Sequence, residues 1–496
     1  MEFAIAVLIL LVAPAFLRRL YSLLIWYFGV SRSDSCRITC PTGPIKASIS
    51  GFDFIYSIIF GKSDENYLDS TCKLFNRFGP TYSMKSWVWQ TIFTKDSRNI
   101  KTILATSFSD FELPKMRLDA ISTLLGTGIF SVNGTSWSHA RALLRPCFAN
   151  RDKLAVTAML EDHFQSFLRH IPQAGEEVDL QPLYFALTMD FATQFLTSKS
   201  SHMLDKTKSH DKEWQFFEDY TTCSEEVIKK MCLGPLQIFR YNRAAEQAKK
   251  RVFKYIDEFI DDALKSINPE EATERNVLTR LAEVTSDRKV LREQMLHLLV
   301  ASRDTTASLL CSLFFMLAKE PAMYETLRQE VRSVCSDAPP SPEQLKQMEY
   351  LRWCVQESLR LHPVIPTNAR EATRDTTLPV GGGREGIEPM LVKKGTLIVY
   401  NIFAMHRDEA VFGPDAEKFR PDRWAGLRPG WGYLPFNGGS RICLGQQIAL
   451  LEAHYLVARM VQTFETMASQ DSRDWEELFA LATTCKHGVK VKMGWA

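Results

Sequence analysis

The sequence predicts a mostly α fold with a small β portion, an α+β chain in which helices dominate. Three observations carry that prediction. Long stretches with apolar residues at helical spacing fill the middle and the late part of the chain. Strand-like text is scarce and clusters late. No linker rich in glycine, proline or serine interrupts the main body, so residues 45–496 read as one large domain. The 496 residues are 45% hydrophobic and 24% charged, as in an ordinary globular protein. The net charge of +2 gives no electrostatic footprint for nucleic acid.

The N-terminus stands apart. Phe3 to Leu17 is apolar and uncharged, Arg18 and Arg19 follow, and Leu20 to Val30 is apolar again. Fifteen residues fall short of the about 20 that a span needs. Snorkelling arginines or the second apolar stretch can supply the difference. Ala13-Pro14-Ala15 loosely resembles a signal-peptidase site, but the leading segment carries Glu2 and no lysine or arginine. The reading is a retained anchor over residues 1–30, a polar stem over 31–44 and a cytosolic body, because the positive charges follow the first apolar run. Eleven cysteines, without a C-x-x-C, fit a reduced body better than a disulfide framework. Cys36 and Cys40 read as a chance pair in the stem.

Four helices are legible by spacing. Lys153 to His170 carries Leu154, Met159, Phe164 and Leu168 as its stripe. Glu246 to Ile267 is amphipathic. Leu296 to Lys319 is long and apolar. Gln446 to Phe464 shows Ala449, Ala453, Leu456, Met460 and Phe464 on one face. Strands are expected at Gly395 to Phe403 and His487 to Met493. The glycine-rich Pro379 to Gly386 lacks a phosphate-loop pattern and reads as a loop between strands.

The densest chemistry lies in "FNGGSRICLG", Phe436 to Gly445. A cysteine here can be a small buried side chain, half of a disulfide or a metal ligand. Cys443 sits just before a helix N-terminus, where the dipole and unpaired N–H groups favour a thiolate. Gly438, Gly439 and Gly445 let the backbone bend and approach a flat partner closely. Arg441 adds a fixed positive charge. Thiolate, close approach and cation together suit an iron porphyrin with acidic propionates. Elsewhere, the apolar Leu296 to Lys319 run carries Arg303, Asp304, Thr305 and Thr306 at its middle, and polar groups in a core helix need partners or a function.

Phe436, Gly439, Arg441, Cys443 and Gly445 match F-x-x-G-x-R-x-C-x-G, and on this signature the chain resembles the cytochrome P450 family over essentially everything after the anchor. The resemblance implies heme b with Cys443 as the axial iron ligand. It pairs Glu357 and Arg360 of "ESLR" with Arg423 of "FRPDRW" in a buried network that holds the fold. Trp137 and Arg141 of "WSHAR" match W-x-x-x-R. With Arg370, and with Phe436, Gly439, Arg441 and Gly445 of the signature, they are the implied cofactor-binding residues, arginines meeting carboxylates. Ala301 to Thr306 align with [AG]-G-x-[DE]-T-[TS]. Ala301 then faces the cofactor, Thr305 bonds the dioxygen being activated and locally opens the helix, and Asp304 relays protons. Ser302 stands where a glycine is usual and can crowd the groove or bond to its own backbone.

The implied activity is monooxygenation with O2, fed by a separate NADPH-cytochrome P450 reductase, on the endoplasmic reticulum membrane with a single span. Details of "NAREATRDTTLPVGGG" and the signature region look like the fungal alkane- and fatty-acid-hydroxylating branch. The substrate is therefore apolar, a long-chain alkane or fatty acyl compound or a specialised metabolite such as a polyketide. Leu298, Ala301, Val364, Ile365 and a Thr483-Thr484 turn are candidate pocket walls. Two other classes remain: a haem-thiolate isomerase or dehydratase acting on a fatty hydroperoxide without O2 or reductase, and a non-enzymatic membrane protein with a structural cysteine.

Overall fold

The computed structural model describes residues 67–85, 90–148, 152–173, 175–205, 211–265 and 276–496. The anchor, the stem and the Cys36–Cys40 pair lie outside them. Eleven helices of ten residues or more are present among the described residues: α1 (Tyr67–Phe78), α2 (Lys115–Leu125), α3 (Gly134–Phe148), α4 (Lys153–Leu168), α5 (Leu180–Thr197), α6 (Asp211–Leu233), α7 (Arg243–Lys265), α8 (Arg288–Leu317), α9 (Pro321–Cys335), α10 (Glu349–Leu361) and α11 (Gln446–Thr463). They form two compact units.

The smaller unit holds the described residues up to Pro114, with Thr367–Met405 and Gly438–Arg441. Its centre is a five-stranded sheet ordered Thr81–Lys85, Gln90–Thr94, Leu397–Asn401, Thr367–Ala372, Phe111–Glu112. Only the Gln90–Thr94 and Leu397–Asn401 pair is parallel. Thr376–Gly382 and Glu388–Val392 form a separate hairpin. Of the run expected as a loop, Gly383–Gly386 lies between these strands, while Pro379–Gly382 belongs to the first of them. At the edge of this unit Thr71 of α1 takes a hydrogen bond from Asn401 at 3.1 Å, tying helix to sheet.

The larger unit is almost entirely helical and is built around α8. Asp287 caps α8, accepting from the N–H groups of Lys289 and Val290. That cap sets the start at Arg288, eight residues before the apolar run begins, because the first turns are helical but polar. α8 packs most extensively on α5. A ladder of stacked rings crosses α4, α5 and α8: Phe164 to Phe167 at 6.0 Å, Phe167 to Tyr184 at 5.4 Å and Tyr184 to Phe314 at 5.6 Å. α8 is the one described helix long and apolar enough to cross a membrane, and it is mostly buried in this unit, as a core helix is.

The helix expectations hold in place and fail in detail on one face. α4 buries Val156, Leu160, Phe164 and Phe167, while Leu154 is exposed. The predicted stripe stepped by five residues from Leu154 to Met159 and again to Phe164, which turns about 140° per step at 3.6 residues per turn and cannot stay on one face. α7 begins at Arg243 and buries Ala245, Ala248, Val252, Tyr255, Ile256, Ile260 and Ala263 at true helical intervals. The last strand is Lys490–Trp495, pairing with Phe464–Ser469 and Val178–Asp179. Thr483 and Thr484 lie in a short strand against Glu477–Phe479 rather than in a turn, and both are buried.

Candidate active site

In the larger unit, Cys443 sits two residues before Gly445, the N-cap of α11. Its own N–H donates to Phe436 O at 3.0 Å, which closes the preceding loop. Nine cysteines are free among the described residues, and Cys443 is the exposed one. Although solvent touches the residue, protein surrounds the sulfur, and this desolvation pushes the thiol pKa up. The N–H groups of Gly445 and Gln446 and the charge of Arg141 oppose it. The helix terminus therefore favours the thiolate, as the sequence suggests, without outweighing burial. A metal cation on the sulfur would remove the proton outright.

Arg141 reaches the same loop, Nη1 donating to Ile442 O at 3.0 Å. It lies over the ring of Trp137, one turn earlier on α3, at 5.8 Å, and Trp137 is buried. Gly445 stands 3.8 Å (as an added Cβ would) from the Phe148 ring at the end of α3. The structure thus brings Cys443, Arg141, Trp137 and Gly445 to one place.

The middle of α8 shows a local change in burial. Its residues are buried on both sides of a patch in which Val300, Ala301, Ser302 and Thr305 are only half-buried. Positions 301, 302 and 305 share one helix face. Arg303, Asp304 and Thr306 turn into the protein. The Thr305 hydroxyl donates to Ala301 O at 2.6 Å, and Ser302 to Leu298 O at 2.9 Å. α8 runs unbroken through this segment, so the expected local opening is not seen: the hydroxyls bond back onto their own helix. Of the expected pocket walls, Leu298 and Val364 are buried and Ile365 is exposed.

Glu357 and Arg360 of α10 are wholly buried and meet in a bidentate pair, both contacts 2.8 Å. Arg423 Nε donates to the same carboxylate at 2.8 Å, and Trp424 Nε1 and the Arg420 N–H donate to it at 3.0 and 2.8 Å. Arg360 spends its remaining donors on the carbonyls of His406, Ala416 and Lys418. Every charge is met, which is what lets such a network be buried. Trp424 and His406 were not singled out from the sequence. His406 follows the short helix Ile402–Met405 in "AMHRDE", and a histidine there gives no periodic signal.

In the smaller unit, Gly439 has φ +62°, and a Cβ on it would collide with the carbonyl of Leu104. Arg441 closes the one-turn helix Gly439–Arg441. Arg370 is buried, over the Tyr400 ring at 5.6 Å, with Nη1 on Ala369 O at 2.7 Å. Its Nε has no hydrogen-bond partner among the described residues.

A family model described as Cytochrome P450 matches residues 50–491. The chain belongs to the cytochrome P450 family. It is 40% identical over 460 residues to cytochrome P450 monooxygenase himC of Aspergillus japonicus, covering 91% of this chain and 82% of the relative. It is 39% identical over 461 residues to cytochrome P450 monooxygenase fsdH of Fusarium heterosporum, covering 89% and 80%. It is 40% identical over 444 residues to cytochrome P450 52A10 of Candida maltosa, covering 84% and 85%. Membership makes this P450 an oxidoreductase that incorporates oxygen, and it implies a haem-thiolate iron, O2, an apolar substrate and a redox partner. In the larger unit the residues present fit that group: an accessible cysteine with N–H donors aimed at its sulfur, with Gly445 and the Arg141 guanidinium beside it. In the smaller unit Arg370 is buried with an unsatisfied donor.

Proposed function

We propose that this P450 is a membrane-bound monooxygenase that inserts one oxygen atom of O2 into a C–H bond of an apolar substrate. The substrate class is a long-chain alkane or fatty acyl compound, or a specialised metabolite such as a polyketide. The observation that carries the reading is Cys443: exposed, at the start of α11, with the N–H groups of Gly445 and Gln446 lowering its thiol pKa against burial.

Cys443 holds the iron of heme b. Trp137, Arg141 and Arg370 hold its propionates, Arg441 adds positive charge, and Phe436, Gly439, Gly445 and Ala301 shape the approach. When bound, the haem supplies dioxygen activation, with the thiolate pushing electron density that favours O–O cleavage. The overall balance is substrate C–H plus O2, two electrons and two protons, giving substrate C–OH and water. The chain's part is to place substrate and move the two protons. Asp304 takes a proton from solvent and passes it to the Thr305 hydroxyl, which leaves Ala301 O and donates toward the reacting oxygen. Leu298 and Val364 give the substrate an apolar wall.

The electrons come from NADPH-cytochrome P450 reductase on the same membrane. The apolar Phe3 to Leu17, with Arg18 and Arg19 after it, supports a single-span anchor in the endoplasmic reticulum with the body in the cytosol. Protease protection of tagged full-length protein in microsomes tests the topology. A panel of fatty acids, alkanes and aromatic polyketides, scored by the low-to-high-spin shift of the Soret band, tests the substrate class. A reduced CO difference spectrum without the thiolate band would remove Cys443 from its role.

A further inference from the structure

Ser302 stands on α8 where the family pattern has a glycine, so this chain puts a hydroxyl at a position that otherwise offers no side chain. Its Oγ lies 2.9 Å from Leu298 O and 3.4 Å from Leu299 O. A backbone carbonyl only accepts, so the serine proton points back into the helix. A hydroxyl has one proton and two lone pairs. With the proton committed to the helix, the Ser302 oxygen offers only acceptor capacity to anything that meets it from outside.

What meets it lies in a bounded niche. Val300, Ala301, Ser302 and Thr305 are half-buried, whereas Leu298 and Leu309, one turn beyond at either end, are 5% and 2% exposed. The loop after α2 closes the N-terminal end. Phe130 N–H donates to Nδ1 of the buried His297 at 3.4 Å, and a Cβ on Gly128 would strike that ring. Burial holds the His297 pKa down at about 3, so the ring is neutral. Arg303 and Asp304 are buried and paired with each other, so their charges are met away from the strip.

The helix does not require the hydroxyl. Serine is a poorer helix former than alanine, and α8 is capped at Asp287 and runs unbroken through residue 302. Against a plain hydrocarbon, the lone pairs of Ser302 lose water and gain no partner. Against a hydroxyl they are met.

We propose that Ser302 is a specificity-determining residue whose oxygen accepts a hydrogen bond from the substrate, so that the site selects an apolar skeleton already bearing a hydroxyl near the C–H bond to be oxidised. The proposal rests on the reading of this P450 as a monooxygenase of apolar substrates with α8 lining the site, and it narrows their class. An alkane, or a skeleton whose hydroxyl is etherified, has no donor to offer. The reaction that supplies the substrate must therefore leave an alcohol or a phenol on it. Ser302 orients that hydroxyl, and no bond to its oxygen forms or breaks.

The test uses the full-length holoenzyme and reads binding rather than turnover, as the low-to-high-spin shift of the Soret band. The ligands are dodecane, dodecanol and dodecyl methyl ether, with a naphthol and its methyl ether as an aromatic pair. The ether keeps the oxygen and removes the donor, so it separates donation from polarity. In the wild type one alcohol or both should bind about tenfold more tightly than the matching ether. Ser302→Ala keeps the size of a methyl group and removes the oxygen, and it should bring alcohol and ether to equal affinity. If Ser302→Ala does not take up haem, Ser302→Gly, the residue of the family pattern, takes its place with the same expectation. Equal affinities within both wild-type pairs overturn the proposal, and so does a preference that survives loss of the Ser302 oxygen. A wild type that hydroxylates dodecane and binds it as tightly as dodecanol, with no preference in the aromatic pair, sinks this inference and leaves the monooxygenase reading standing. A Soret band that responds to none of these ligands removes the apolar-substrate reading, and the inference falls with it.

Discussion

Leu434 N–H donates to Nε2 of His406 at 2.9 Å, while Nδ1 of the same ring faces Arg360 O at 3.2 Å. Because Nε2 accepts, Nδ1 must carry the proton and donate, so the ring is neutral with its tautomer fixed. His406 is wholly buried, its ring 5.0 Å from Tyr433. It fastens the chain leading into the cysteine loop to the end of α10.

His406 makes stability fall in acid. Burial pushes its pKa down to about 3, with the charges of Arg360 and Arg407 adding to burial and the hydrogen bond to Arg360 opposing it. The unfolded value is about 6.5. A histidine depressed in the folded state contributes fully above pH 6.5 and loses that contribution as pH falls from there toward 3. The slope is about 1.4 kcal/mol per pH unit. His406→Gln keeps a donor and an acceptor but does not titrate. Urea unfolding of both proteins between pH 7 and 4 should show their stability difference shrinking toward acid. A constant difference would mean His406 is protonated in the folded state.

Glu452 predicts the opposite slope on the alkaline side. It lies buried on α11, its Oε1 without a hydrogen-bond partner among the described residues. Burial raises its pKa to about 8, against a small pull from Thr306. An acid raised in the folded state holds a proton that the unfolded chain has lost. The folded state is therefore penalised as pH climbs from about 4.5 to 8, and the penalty is constant above that. Glu452→Gln should match the wild type near pH 5 and exceed it by a few kcal/mol at pH 9. Equal pH profiles for the two proteins would place the Glu452 carboxyl in water.

These two residues show where the sequence stops being readable. The chain order of helices, the scarcity of strands and the Glu357–Arg360 pair follow from spacing, because periodicity and i, i+3 geometry are local. Cys443 at the head of a helix was legible for the same reason. His406 and Glu452 were not, since each matters through partners far away in the chain: Leu434 and Arg360 for one, the Thr306 face of α8 for the other. Glu452 left a trace, a lone carboxylate in the apolar "ALLEAHYLV" run. The unbroken course of α8 at Thr305 also lay beyond sequence, because a threonine in a helix bonds either to its own backbone or to a partner, and composition does not choose.

Gly439 separates two costs of adding a methyl group. Its φ of +62° disfavours any L side chain by about 1–2 kcal/mol. The Leu104 carbonyl would also be struck. Gly386, φ +72° in the smaller unit, has nothing within 4 Å of an added Cβ. Gly386→Ala should therefore cost only the backbone term, roughly 1–2 kcal/mol, and Gly439→Ala clearly more. Thermal unfolding of the two variants makes the comparison. Equal losses would show that the Leu104 backbone yields.

Arg360→Ala should be among the most damaging single changes in the chain. It strips Glu357 of a bidentate partner at 0% exposure and leaves the carbonyls of His406, Ala416 and Lys418 without that donor. Breaking a buried pair from one side costs about 3–5 kcal/mol. Arg360→Lys keeps the charge but loses the fork that serves two oxygens at once, so it should recover only part of the loss. Chemical denaturation, with the yield of correctly liganded haem as a second readout, distinguishes them.

Thr305 is where local structure and chemistry compete. Its hydroxyl donates to Ala301 O at 2.6 Å, a short bond within its own turn, on the half-buried face of α8. Removing the hydroxyl leaves that carbonyl with its normal helical bond, so Thr305→Ala should fold with a stability within about 1 kcal/mol of the wild type. If the hydroxyl also hands on protons, its loss appears in turnover alone. NADPH oxidation continues, product falls by an order of magnitude or so, and hydrogen peroxide rises to account for the missing electrons. Thr305→Ser restores the hydroxyl without the methyl group and should restore coupling. Full coupling in Thr305→Ala would mean the hydroxyl serves its helix and nothing else, and the proton would then have to reach the substrate side by a route without it.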